Sequence, residues 1–158
     1  MLTLAHGAVG DDLAVVVSSR EAPSDDDWDD QARWLEDLVR PLRAARRPIK
    51  VLVFTDEAGP NAKQRASVVD VMKGVETRVA VVSNGVLVRN MITAFGWLSF
   101  PIKGFAPAQL STVEPYLEIS SAQLQEALGL AAMLAPRVGG SHCVELAVAA
   151  RKSAGRVR

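Results

Sequence analysis

The stretch that most limits what this chain can become is Ile49 to Gln64, IKVLVFTDEAGPNAKQ. There the apolar run Val51-Leu52-Val53-Phe54 leads into Thr55-Asp56 and then a Gly59-Pro60-Asn61 turn. A strand covered on both faces needs a continuous rather than an alternating apolar run, as in parallel α/β sheets. The stretch therefore reads as a central strand turning into a helix. Ligands and partners usually sit at the carboxyl edge of such a sheet, so the loop after this strand is the first place to look for function.

The flanking sequence repeats the alternation. Leu2 to Ala5 is a short apolar strand, Gly7 to Asp12 supplies turn residues, and Leu13 to Val17 is a second buried strand. The tight turn makes this pair antiparallel. Ser24 caps a helix with Asp25, Asp26 and Asp27 in its first turn, with Trp28, Ala32, Leu35, Val39 and Leu42 at helical spacing, and with Arg40, Arg43, Arg46 and Arg47 toward its far end. Carboxylates favour the positive end of a helix dipole and cations the negative end, so the acidic and basic blocks are two ends of one helix rather than an ion site. Pro41 removes a backbone donor, which predicts a kink or break there.

After the central strand, Asn61 and Gln64 have capping-box spacing, and Val68, Val69, Met72 and Val75 form one apolar helix face. Arg78 to Val82 is the next buried strand. Asn84 is placed to cap the most apolar helix, Val86 to Leu98, on which Arg89, Asn90, Thr93 and Gly96 form a narrow polar stripe. Pro101 to Phe105 suits an edge strand. Ala108 to Tyr116 is a helix, Ser120 and Gln123 form a second capping box ahead of Leu124, Leu128, Ala131 and Leu134, and Cys143 to Ala150 is a weaker last helix. The expectation is an α/β fold with a mainly parallel sheet of about five strands and crossover helices over residues 1–119. A C-terminal helical extension and basic tail follow over 120–158.

Composition narrows the functional classes. A chain of 158 residues can hide roughly 70% of its unfolded surface without a disulfide or metal staple. Eighteen basic residues balance 18 acidic ones, giving no general pull toward nucleic acid or anionic membrane. The single Cys143 excludes an internal disulfide framework and fits a reducing cytoplasm. The first residues lack a signal-peptide pattern, and no apolar run is long enough for a membrane span. His6 and His142 have no spacing partner for a metal site, and no Gly-rich phosphate loop is present. Trp28, Trp34 and Trp97 are not interleaved with cations and read as packing rather than a stacking platform for bases. No cofactor, metal or catalytic residue is expected.

One enzyme-like reading is a phosphoryl-accepting receiver, with Asp11-Asp12 as the acidic pair, Asp56 as acceptor, Ser83 as hydroxyl and Lys103 as cation. That chemistry needs the acidic pair beside the acceptor so that a divalent cation bridges them. Asp11-Asp12 precedes its strand and so belongs to the opposite edge.

The order of elements over roughly residues 1–119 resembles the STAS-like fold of bacterial anti-sigma-factor antagonists and sulfate-transporter tails. Antagonists of that kind carry an Asp-Ser-Ser-Gly-like loop after the central strand, where a kinase phosphorylates a serine. The corresponding stretch here looks like Asp56-Glu57-Ala58-Gly59: Asp56 and Gly59 match, and Ala58 stands in place of the acceptor hydroxyl. The stretches GPNAKQR and AVVSNGVLVRNMITAFGWL also look like those of small bacterial proteins with this fold. The resemblance implies a non-catalytic, cytoplasmic regulatory module that binds a protein partner without a phosphoswitch. Its contact residues would be Asp56, Glu57, Ala58, Gly59, Pro60, Asn61, Ser83 and Asn84. The alternative is a small-molecule protein holding a lipid or nucleotide at the sheet edge or under the C-terminal helices. Those helices are expected to cover the 86–98 helix or to form a homodimer contact. In the plainest reading, Asp56 only braces its turn, and Ser83 and Asn84 are turn and cap residues.

Overall fold

A computed structural model describes residues 1–94 and 100–156. Five strands, β1 (Leu4–Val9), β2 (Leu13–Ser18), β3 (Ile49–Thr55), β4 (Thr77–Ser83) and β5 (Ile102–Phe105), form one sheet in the order β1-β2-β3-β4-β5. The β1–β2 hairpin is antiparallel and every other pair is parallel, so the expected fold class is the one observed. Between the parallel strands run α1 (Asp25–Ala45), α2 (Ala62–Val71) and α3 (Val86–Ala94). A 3-10 turn at Pro107–Gln109, α4 (Leu110–Leu117), α5 (Ser121–Leu134) and α6 (His142–Arg156) complete the chain. The expectations of a helix continuing to Leu98, of Gly96 in its polar stripe and of Trp97 as packing fall on residues outside those described.

Sequential strand order explains the layering. Right-handed crossovers that always step in the same direction must lay their helices on the same face. Accordingly Trp28, Leu35, Val39 and Leu42 of α1 and Met72 beyond α2 pack with Ile49, Val51, Val79 and Val81. The opposite face, carrying Leu52, Phe54, Ala80 and Val82, would lie bare without another layer. It is covered by Leu117 of α4, Leu124, Ala127 and Leu128 of α5, and Val144 and Ala147 of α6, in one continuous apolar cluster with the strands. The expectation that these helices cover α3 is thereby corrected, because α3 lies on the other side of the sheet. No switch point divides the parallel strands, so the crevice that such a reversal opens in many α/β proteins is not formed.

Local signals account for most helix starts. Ser24 Oγ accepts from Asp27 N. Both capping boxes are complete, Asn61 with Gln64 and Ser120 with Gln123. Pro41 does not break α1. It sits on the exposed side of the helix, four residues after the exposed Asp37, whose carbonyl is the one that loses its donor. Gly85, not Asn84, precedes the first turn of α3, and its carbonyl accepts from Arg89 N. His6 on the edge strand stacks on Trp34 with ring centroids 4.3 Å apart.

Candidate functional site

The carboxyl end of β3 sends side chains in two directions. Strand alternation puts Leu52 and Phe54 on the α4–α6 side, and Asp56 follows them; Val51, Val53 and Thr55 face α1–α3. Asp56 is only 7% exposed. Its Oδ1 accepts from Cys143 N at 2.7 Å and its Oδ2 from His142 N at 3.1 Å, while Ser141 Oγ accepts from Val144 N at 3.2 Å. Three of the unpaired amides that open α6 are thus satisfied, and a negative charge rests at the positive end of its dipole. Asp56 is therefore a latch between the central strand and the last helix. This corrects its expected place on an exposed contact surface.

Ser83 is fully buried as well. Its Oγ accepts from Gly85 N at 3.0 Å and reaches the Asp56 carbonyl at 3.5 Å, joining the ends of β3 and β4. A Cβ at Gly85 would come within 3.1 Å of that same carbonyl, so only glycine fits without displacing backbone. Cys143 Sγ donates to Val82 O at 3.1 Å. Burial, reinforced by the nearby Asp56 charge, pushes the thiol up to about 12, so Cys143 is a protonated core residue and no nucleophile near neutral pH.

The remaining predicted contact residues do stay together at the surface. Glu57, Gly59 and Asn61 are exposed, Ala58 and Pro60 half-buried, and Asn84 is exposed at the neighbouring strand end. The loop is fixed from within. Thr55 Oγ1 donates to Ala58 O at 2.8 Å, Arg65 Nη1 donates to Pro60 O at 2.8 Å, and the Asn61–Gln64 box closes the helix entrance. Gln64, buried, also donates to Pro23 O at 2.9 Å and to Asp25 Oδ1 at 3.1 Å, tying the start of α2 to that of α1. Ser67 Oγ accepts from Trp28 Nε1 at 2.9 Å and donates to Gln64 O at 2.8 Å.

Asp11 and Asp12 lie at the far end of the sheet, paired with Arg47 and Lys50. The receiver constellation is thus split between opposite edges. Among the described residues no three His, Cys, Asp or Glu side chains converge as metal ligands. None of the described helices is long and apolar enough to cross a membrane.

Beneath the 57–60 loop, between the sheet and α1–α3, lies a cavity of about 360 Å³. It lies at the carboxyl edge of the sheet, one of the two places the small-molecule alternative names, but on the face of α1–α3 rather than under the C-terminal helices. Val68, Val69 and Val75, expected as a buried helix face, are only half-buried, and Gln64 is the buried residue within α2.

No protein-family profile and no curated protein sequence matches the chain. Among solved structures, it is similar to an uncharacterized DUF3478-family protein with a SpoIIAA-like fold from Shewanella loihica PV-4. The TM-score is 0.46 at 17% identity, over 66% of this chain and 87% of the other.

Proposed function

We propose that the chain is a non-catalytic regulatory module that docks a protein partner through the loop from Glu57 to Asn61 and the adjoining start of α2. The observation supporting this reading is the loop itself: displayed at the sheet edge, yet held by hydrogen bonds from Thr55, Arg65 and Gln64 on its inner side. A surface already ordered before contact loses little entropy on binding. The exposed stretch from Glu57 to Lys63 carries no hydroxyl, and the neighbouring Thr55, Ser67 and Ser83 are engaged inside the fold. Docking in this reading is constitutive rather than gated by a phosphate.

Affinity capture from the native cell tests it. Glu57→Arg is expected to lose a partner that wild type and Glu126→Arg, on the exposed side of α5, both retain, with all three proteins showing the same urea midpoint. Recovery of the same partner with Glu57→Arg, or a phosphate on Thr55 or Ser67 that controls its release, overturns the reading.

A further inference from the structure

The two edges of the sheet are finished differently. β5 is four residues long, follows Pro101 and carries the exposed Lys103, features that discourage a further strand. β1 has six residues, and the chain from Met1 to Gly10 holds no Pro, Asp, Glu, Lys or Arg. The direction of its backbone groups follows from the ladder. Ser19 N donates to Thr3 O at 2.9 Å, so Thr3 and every second residue after it, Ala5, Gly7 and Val9, turn their polar backbone toward β2. Leu4, His6 and Ala8 turn theirs away from the sheet. No turn, loop or side-chain hydrogen bond among the described residues reaches the backbone of His6 or Ala8, and Ala8 is exposed.

We propose that β1 pairs with β1 of a second copy of this chain, antiparallel about a two-fold axis at Gly7, joining two five-stranded sheets into one. Only an extended chain offers donors and acceptors at the spacing of an open ladder. The strand suits its own copy for three reasons. In the register centred on Gly7, His6 lies opposite Ala8 of the second copy and Ala5 opposite its Val9, so no charged side chain meets its like. The glycine pair on the axis belongs to the close, non-hydrogen-bonded kind, in which Cα atoms approach to about 4.5 Å, and no side chain stands between them. Over Gly7 lies the half-buried Leu130 of α5, its Cδ2 only 3.1 Å from where a Cβ would be, with Met133 at 75% exposure about one turn further on. Both leave water when a second α5 lies alongside, while on the other face the stack of His6 on Trp34 meets only the methyl of Ala8. Since β2 separates β1 from β3, the pairing does not rest on docking through the 57–61 loop.

The test is sedimentation equilibrium of the full chain from low to high micromolar concentration, with amide hydrogen exchange measured at both ends of that range. Wild type is expected to pass from monomer to dimer. Exchange of the His6 and Ala8 amides should slow about tenfold or more on the way, while Leu52 and Val81, in the centre of the sheet, do not change. Ala8→Pro removes an outward donor without touching the ladder to β2 and should weaken dimerisation by about a hundredfold or more. Met133→Lys leaves the strand alone and sets like charges near the axis. It should weaken dimerisation about tenfold, so the result does not depend on whether Ala8→Pro folds. Wild type that stays monomeric overturns the pairing, as does a dimer that Ala8→Pro leaves intact or in which the His6 and Ala8 amides exchange as fast as in the monomer.

Discussion

The two faces of the sheet are built to different standards. On the α4–α6 side, Leu117, Leu124, Leu128 and Val113 are essentially inaccessible, the Asp56 carboxylate is met by two backbone amides, and Glu114 pairs with Arg151 at 3.0 Å. On the α1–α3 side, Val53, Val68 and Ile92 remain half-buried around an open volume, and a glutamine oxygen is left without a donor. Dense packing and satisfied polar groups make a layer stable. Unfilled apolar volume costs stability, and the apolar cavity lies on the α1–α3 side. The difference separates a closely packed face from one that leaves open volume beneath the 57–60 loop.

Substitutions can break or sharpen that contrast. The largest effect is expected for Leu128→Ala on the dense face, a loss of about 3–4 kcal/mol in urea unfolding, because the surroundings cannot collapse into the hole. Asp56→Ala should follow at about 3 kcal/mol, since the amides opening α6 lose a charged acceptor; Asp56→Asn, which keeps one oxygen, should lose less.

Cys143 gives a pH-dependent test of the same face. Its thiol, ordinarily near 9.0, is raised to about 12 by burial and by Asp56. Between those values the unfolded chain loses the proton and the folded one keeps it. The stability contribution is therefore complete below pH 9 and is lost as pH rises toward 12. At pH 10.5 the loss relative to pH 8 should exceed that of Cys143→Ala by about 2 kcal/mol, measured from paired urea midpoints. The smallest effect belongs to the open face. Val68→Ala removes methyls that already border empty space and should cost about 1 kcal/mol or less. A Val68→Ala loss equal to that of Leu128→Ala would erase the distinction between the two layers.

Much of this architecture is legible in the sequence because its causes are local. The continuous apolar runs at Leu13 to Val17, Val51 to Phe54 and Arg78 to Val82 give the buried strands, and Ser24, Asn61-Gln64 and Ser120-Gln123 fix helix starts within three residues of themselves. The role of Asp56 is not local: its donors lie 86 and 87 residues away. Two signals point toward it. Alternation from Leu52 through Phe54 puts Asp56 on the second face, and Ser141 ahead of an apolar stretch marks a helix start at His142 rather than Cys143. The cavity has no such signal. Val68, Val69 and Val75 have the spacing of a packed stripe, and whether that stripe meets the sheet or stands off from it depends on how Gln64 and Arg43 hold the two ends of α2.

The latch at Asp56 has a consequence for how the protein is made. Until the ribosome has added His142 and Cys143, Asp56 lacks the two amides that meet its charge, and Val144 and Ala147 are missing from the cover over the sheet. A nascent chain stopped just before that point has its five strands and α1–α5 but a side that α6 has not yet sealed. Seating α6 on Asp56 thus comes late in synthesis, and a chain interrupted before it leaves exposed apolar surface of the kind that invites aggregation.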